Sequence, residues 1–299
     1  MIGIAPGETW QEALAFHLYR FAAWVGFTMP DERGRKLFTR LGQLGYRVLP
    51  NVRATVAANQ GQVLGRPPED PLVQASTREA FQSYARFWFD AFHAARWSDE
   101  EVLSRFRADG AEEIDRALAA GKGAIIAIPH MGNWDIAGRW LDARDQGAVA
   151  VAERLKPDRL FQLFVQHRER LGMEVVGLEG EGVGRRLSAA LKANRVICLV
   201  SDRELGGRGV TVEMFGRERR LPAGPALLSI TTGAPLLTAS VREEPGGYRC
   251  VILPAIDVEL TGDRRADIVT ITRSLAEVFE RAIAASPPDW HMFQPGWES

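Results

Sequence analysis

The stretch GAIIAIPHMGNWD, residues 123–135, sets the fold class of this chain. Its first seven residues, 123–129, form a short apolar run of the length of one buried strand. Glycine and polar residues follow at once, and we predict a helix from near Gly132 to about residue 145. A strand without a polar face is typical of a parallel sheet that helices cover on both sides.

The same alternation of apolar strands and helices continues to the C-terminal part of the sequence. Further strands are predicted at 148–152, 173–178, 195–201, 209–215, 235–241 and 248–255. Further helices are predicted at 158–172, 180–193, 222–233 and 264–285. We therefore expect an α/β fold with a mainly parallel central sheet flanked by helices, which binds ligands beyond the carboxyl ends of its strands. The Pro- and Trp-rich tail, 286–299, is expected to pack irregularly on the surface.

The first hundred residues have a different character, because helices are predicted at 9–29, 31–62 and 71–95. Thr9 can cap the first of them, with Glu12 as its capping-box partner. This helix is unusually aromatic and carries few charges. Such a composition suits either a helix lying at a membrane interface or a helix in a protein core, and the sequence leaves both open.

Composition and charge exclude several functional classes. With 46% hydrophobic and 25% charged residues the chain is typical of a globular protein, and its formal net charge of −1 lacks the basic excess of a nucleic-acid-binding protein. No apolar run reaches the roughly 20 residues needed to span a bilayer, and no Cys/His spacing suits a metal site. We therefore expect no spanning helix, no metal and no nucleic-acid partner.

His130 is the first candidate for chemistry, since it directly follows the strand that ends at Pro129. If the helix begins near Gly132, the carboxylate of Asp135 can return to the imidazole, fix its tautomer and stabilise its protonated form. His130 would then serve as a general base, and backbone N–H groups of the first helical turn could stabilise an oxyanion. The alternative is that Asp135 belongs only to the helix and His130 is a satisfied loop residue.

Several ordered sequence blocks together resemble the bacterial lipid A biosynthesis (lauroyl/myristoyl) acyltransferase family. The blocks are HMGNWD (130–135), ERLKP (153–157), Arg168 within QHRERLGMEV, SDRE (201–204), Gly209-Val210 to Phe215-Gly216-Arg217, and PAGP (222–225). The resemblance covers residues 100–295 and favours the actinobacterial branch that contains the phosphatidylinositol mannoside acyltransferases. It implies a fold similar to that of the glycerol-phosphate acyltransferases, with a helical N-terminal layer.

The resemblance also implies roles for individual residues. It makes His130 the general base, Asp135 the acid of the motif and Glu204 a second carboxylate that hydrogen-bonds the histidine. Glu153 and Arg168 would line the polar-headgroup end of the site. The remaining candidate substrate contacts are Asn133, Arg154 and Arg203, whereas Arg217, Arg219 and Arg220 would hold donor phosphates or merely form a turn.

The function implied by this resemblance is transfer of a fatty acyl group, palmitoyl in this branch, from acyl-CoA to a mannose hydroxyl of a phosphatidylinositol mannoside. Acyl-CoA is then a co-substrate and no cofactor is expected. We expect one acyltransferase domain over 1–299, with a membrane-associating helical part (1–100) and a catalytic core (101–299), peripheral on the cytoplasmic face of the cell membrane. The alternatives are another lipid acceptor, such as a lipid A precursor or a lysophospholipid, and a non-catalytic acyl-lipid-binding protein. The sequence does not contain the G-x-S-x-G motif of α/β-type serine hydrolases, which argues against that class.

Overall fold

The computed structural model describes residues 5, 7–178, 182–204, 206–207 and 209–297, and begins with a layer of helices. These are α1 (Trp10–Thr28), α2 (Asp31–Val48), α3 (Pro50–Leu64), α4 (Pro71–Ala94) and α5 (Asp99–Arg105). The capping box predicted for α1 is confirmed, since Thr9 Oγ1 accepts from the Glu12 N–H and the Glu12 carboxylate accepts from the Thr9 N–H. The single helix predicted over 31–62 is wrong, because Pro50 cannot donate an N–H to a continuous helix and starts a new one.

Strands and helices follow this layer. They are β1 (Phe106–Asp109), α6 (Ala111–Ala119), β2 (Ala124–Ile128), α7 (Trp134–Asp142), β3 (Ala148–Ala152), α8 (Asp158–Arg170), β4 (Glu174–Gly177), α9 (Val183–Lys192), β5 (Val196–Val200), β6 (Val210–Met214), β7 (Arg217–Leu221), α10 (Gly224–Thr232), β8 (Leu236–Glu244), β9 (Gly247–Leu253) and α11 (Arg264–Ala285). Strands and helices alternate as far as β5, after which β6 and β7 follow β5 directly and β9 follows β8 directly. A 3₁₀ turn follows at Pro287–Asp289. The first residues of the helix predicted at 180–193 lie outside the described residues.

Seven of the strands form one sheet in the order β1-β9-β8-β2-β5-β3-β4. Its neighbouring strands are parallel except for β8 and β9, which are antiparallel. The predicted α/β class, mainly parallel sheet and helical N-terminal layer are thereby confirmed. Two strands were missed: β1, and β7, which pairs with β6 in a separate hairpin.

Strand β2 lies in the middle of the sheet and is buried on both faces. Ile125 and Ala127 pack into the core beneath α9, α10 and α11, while Ala124, Ile126 and Ile128 pack into the core beneath α6 and α7. This double burial explains why the sequence of β2 is apolar throughout rather than alternating. Within the described part of the chain, no helix combines the length and apolarity that crossing a membrane requires.

Most of the described part of the tail, residues 286–297, is buried or half-buried, contrary to our prediction of surface packing. Trp290 is fully inaccessible to solvent, and Met292 and Trp297 are also buried. The backbone of Trp290 forms a bridge with Met131, and Asn59 of α3 donates to the carbonyls of Met292 and Gln294. Burial of the large tryptophan rings outweighs the irregular backbone, because backbone and side-chain hydrogen bonds satisfy its polar groups.

Candidate active site

The register of the sheet brings His130 and Asp202 together. Strands β2 and β5 are parallel neighbours, and Ile128 at the end of β2 pairs with Val200 at the end of β5. His130 and Asp202 each lie two residues beyond this last pair, at the carboxyl edge of the sheet. Two adjacent parallel strands that end level therefore place an imidazole and a carboxylate side by side.

The contact between these side chains is a hydrogen bond of 2.5 Å from His130 Nδ1 to Asp202 Oδ1. An ionised carboxylate can only accept, so Nδ1 carries the proton and Nε2 keeps its lone pair. The His130 side chain is 25% exposed whereas Asp202 is fully buried. The ring therefore presents its basic nitrogen from a supported position, which is the arrangement a general base requires.

Asp202 remains ionised despite its burial. Burial by itself raises the pKa of this carboxyl, but the charge and hydrogen bond of His130, the Arg219 charge and the Trp290 N–H together hold the pKa well below its ordinary value. Trp290 Nε1 donates to the second carboxylate oxygen over 2.7 Å. Arg219 donates to the backbone carbonyl of Asp202 and lies against the rings of Trp290 and Trp297. Arg219 is thus buried in the protein, which contradicts a role in holding donor phosphates.

The loop that carries His130 is fixed by the tail. The His291 N–H donates to the His130 carbonyl over 2.7 Å, and the Gly132 N–H donates to the Asp289 carbonyl over 2.9 Å. Gly132 has a left-handed φ of +58°, and a Cβ atom at this position would lie 2.2 Å from the Val241 carbonyl oxygen. Only glycine fits at this position. The backbone of the loop thus lies between the tail on one side and Val241 on the other.

Asp135 has a different partner from the one predicted. Its buried carboxylate accepts from Arg168 Nε over 2.8 Å, so it orients the Arg168 guanidinium rather than the imidazole. Glu204 also corrects the prediction, because its carboxylate accepts from the backbone N–H groups of Gly206 and Gly207 over 2.7 and 2.6 Å. The carboxylate recorded on the His130 ring among the described residues is therefore that of Asp202.

The other predicted contacts divide into two groups. Glu153 and Arg203 form an ion pair with each other at the cavity described below, whose wall they share. Arg154 is exposed and pairs with Asp158 of its own segment, outside that wall. Asn133 is buried, caps α7 at Ile136 and donates to the Phe87 carbonyl, so its side chain joins α7 to α4 instead of facing a substrate.

A cavity of about 860 Å³ opens beside His130. Its wall includes His130 and the polar side chains of Arg168, Arg203 and Glu204. The rest is mostly aliphatic and aromatic, formed by Val151, Leu155, Phe161, Phe164, Val165, Leu178, Val183, Leu187, Leu199, Leu227 and Leu228 among others. This combination of a base, a polar end and a long apolar wall suits an acyl chain whose carbonyl lies next to His130.

The first turn of α7 supplies some of the expected oxyanion donors. The Gly132 N–H is used by Asp289, and the Ile136 N–H is used by the Asn133 side chain. The N–H groups of Trp134 and Asp135 start the helix and have no intrahelical acceptor. They remain the candidates for stabilising negative charge next to His130.

The chain matches the family model described as bacterial lipid A biosynthesis acyltransferase over residues 9–299. It is 42% identical over 249 residues to the phosphatidylinositol mannoside acyltransferase of Mycobacterium tuberculosis (strain ATCC 25618 / H37Rv), a match that covers 80% of this chain and 75% of the relative. It is 40% identical over 244 residues to the protein of the same name from Mycolicibacterium smegmatis (strain ATCC 700084 / mc(2)155), covering 80% and 77%. The fold, the cavity beside His130 and these matches together show that the chain is an acyltransferase and belongs to the bacterial lipid A biosynthesis acyltransferase family.

Proposed function

We propose that this acyltransferase moves a fatty acyl group, palmitoyl in the first instance, from acyl-CoA to a mannose hydroxyl of a phosphatidylinositol mannoside. The observation that carries the proposal is the His130–Asp202 pair, whose imidazole lines a largely apolar cavity. The names of the relatives support the choice of acceptor. Each methylene of the donor buried in the cavity contributes about 0.8 kcal/mol, so a long chain is the preferred donor.

His130 Nε2 removes the proton of the mannose hydroxyl as its oxygen attacks the thioester carbonyl carbon. The new C–O bond forms a tetrahedral oxyanion, which the N–H groups of Trp134 and Asp135 are placed to stabilise. The C–S bond then breaks, and the imidazolium returns its proton to the leaving thiolate. The products are the acylated glycolipid and free CoA, and Asp202 stays ionised throughout while it holds the ring.

The polar end of the cavity provides the contacts for the acceptor. Asp135 accepts from Nε of Arg168 and so fixes one edge of the guanidinium. The Arg168 side chain is also part of the cavity wall. Arginine in a fixed orientation suits bidentate binding of a phosphate or of sugar hydroxyls. Arg203 is held in the same way by Glu153 and Gln294. In this proposal the three predicted residues Glu153, Arg168 and Arg203 bind the headgroup.

Membrane association is also part of the proposal. Helix α1 exposes Trp10, Phe21 and Trp24, each more than 60% accessible. Helix α2 exposes an apolar stripe at helical spacing, Leu37, Leu41, Leu44 and Val48. Tyr19, on the opposite side of α1, packs on Phe164, which is part of the cavity wall, so this helix lies beside the lipid site. We propose that this face lies in the cytoplasmic leaflet and that lipid substrates enter from it.

The test is incubation of the purified full chain with labelled palmitoyl-CoA and separate acceptors: a phosphatidylinositol mannoside, a lipid A precursor and a lysophospholipid. Mass spectrometry of the product should show palmitate on mannose. His130→Ala should abolish the product while its circular dichroism spectrum and melting temperature stay close to those of the parent. Unchanged turnover in His130→Ala would remove the mechanism, and transfer only to another acceptor would remove the assignment of substrate.

A further inference from the structure

Three arginines from neighbouring strands lie in one row across the edge of the sheet. Arg107 of β1 is the register partner of Arg249 of β9, and Arg249 is the register partner of Arg242 of β8. Register partners on adjacent strands project from the same face of a sheet. Like charges directly opposite one another are unfavourable, so a row of three guanidinium groups requires a compensating anion.

The protein supplies only part of this compensation. Arg242 pairs with Glu244 and Arg249 pairs with Asp109, at 2.9 and 2.5 Å. A fourth cation, Arg281 of α11, borders the same cavity as Arg242 and Arg249. Among the described residues, no carboxylate lies within ion-pair distance of Arg107 or Arg281. Four arginines against two carboxylates leave a net charge of about +2 on this face.

A second cavity lies beneath the row, between α11 and strands β8 and β9. Its volume is about 220 Å³, and its walls include Val251, Leu253, Val278 and Phe279 as well as Arg242, Arg249 and Arg281, while Arg107 lies next to Arg249 outside the wall. Thr238 also forms part of the wall, is 1% exposed, and its hydroxyl has no hydrogen-bond partner within the described part of the chain. A buried hydroxyl without a partner is costly, which points to a ligand oxygen that completes it.

We propose that this cavity is a binding site for a phosphate group, with Arg242, Arg249 and Arg281 on the phosphate oxygens, the Thr238 hydroxyl donating to one of them, and Arg107 adding positive charge beside Arg249. Arginine side chains match phosphate geometry, and the apolar floor accepts a small organic substituent. The phosphate belongs either to a lipid headgroup or to a soluble phosphate ester. This site is separate from the cavity beside His130, so the proposal stands or falls independently of the acyl-transfer reaction.

The test uses the purified full chain, with inorganic phosphate as the soluble probe and phosphatidylinositol-containing vesicles as the lipid probe, against phosphatidylcholine vesicles. The main variant is the double substitution Arg107→Gln and Arg281→Gln, which removes the two arginines without a carboxylate partner. Its matched control is Arg273→Gln, an exposed arginine on α11 outside the cavity. Binding is measured as the phosphate-dependent rise in melting temperature and as co-sedimentation with vesicles.

We expect the double variant to bind at least one of the two probes about tenfold more weakly than the parent, while Arg273→Gln binds like the parent. Weakening of the phosphate effect identifies a soluble ligand, and weakening of vesicle binding alone identifies a headgroup. Thr238→Val should lower the same affinity without lowering the melting temperature of the unliganded protein, because it removes only a hydroxyl that lacks a partner. The proposal would be overturned if the parent protein bound neither probe. It would also be overturned if the double variant and Thr238→Val both bound the two probes as tightly as the parent.

Discussion

Replacing Asp202 with asparagine tests the central pair of the site with a change of a single atom. Asp202 Oδ2 accepts from Trp290 Nε1, which can only donate. In Asp202→Asn the amide oxygen is therefore retained by Trp290, and the amide NH₂ group faces His130 Nδ1. That nitrogen must then accept, so the proton moves to Nε2 and the base is in the wrong tautomer.

The expected loss in kcat is on the order of 10³- to 10⁴-fold, or about 4–5 kcal/mol in the activation barrier, because both the tautomer and the charge beside the imidazolium are lost. The KM for acyl-CoA should change little, since the apolar wall is untouched. Arg219 keeps its hydrogen bond to the backbone carbonyl of residue 202, so the variant should fold, with a lower melting temperature.

The assay follows CoA release with a thiol-reactive dye and confirms the ester product by mass spectrometry. Cys198 and Cys250 interfere little, since burial raises the pKa of each thiol to about 12. Asp135→Asn provides the contrast, because it loosens Arg168 and should raise the acceptor KM by about tenfold with kcat within a few-fold of the parent. The reasoning would be refuted if Asp202→Asn kept near-parental kcat while Asp135→Asn lost all activity.

Three further predictions concern the stability of the protein and the length of the acyl group it prefers. Burial lowers the pKa of His167 to about 4 and of His291 to about 3. As the pH falls below 6.5, these histidines are therefore protonated in the unfolded chain before they are protonated in the folded one. Each of them should lower the free energy of unfolding by about 1.4 kcal/mol per pH unit over this range. Asp90 opposes this trend below pH 6, because burial raises its pKa to about 6 and the folded state binds that proton more readily. Urea unfolding of His291→Gln at pH 7, 6 and 5 should show a shallower loss than the parent, and equal slopes would contradict it. Gly132→Ala should lower the free energy of unfolding by at least about 1–3 kcal/mol, measured by thermal unfolding. The loss should exceed that of the control Gly121→Ala, which shares a positive φ but has no atom within 4 Å of the added Cβ. An equal loss in both variants would argue against the clash with Val241. Leu187→Trp, in the cavity wall, should shift the preferred donor from palmitoyl-CoA to shorter thioesters in a competition assay, and an unchanged preference would place the acyl chain elsewhere.

The sheet could be predicted from the sequence because β2 and β5 are continuous apolar runs followed by polar residues. His130 was found for the same reason. Its carboxylate partner was not, since nothing local distinguishes Asp135, five residues on, from Asp202, 72 residues on. The pairing depends on which strands are neighbours and where they end. Once β2 and β5 are known to be adjacent and level, the residue two positions beyond β5, which matches His130 beyond β2, is Asp202.

Other parts of the structure have no local signal at all. Strand β1 is four residues long and contains Arg107 and Asp109, because one face of this edge strand is not covered by a helix. The tail reads as a surface segment by its prolines, yet Trp290 is fully buried because a distant carboxylate satisfies its N–H. Arg219 is similarly ambiguous, since the groups that make its burial favourable, Asp202 and the rings of Trp290 and Trp297, all come from other parts of the sequence.

The dependence of His130 on Trp290 and His291 has a consequence for biosynthesis. A polypeptide emerging from the ribosome can pair β2 with β5 once residue 200 is available, long before residues 286–297 have been synthesised. Such a nascent chain has its strands but lacks the segment that orients the imidazole loop. A chain that ends before residue 291 should therefore be inactive in acyl transfer even where its strands are paired.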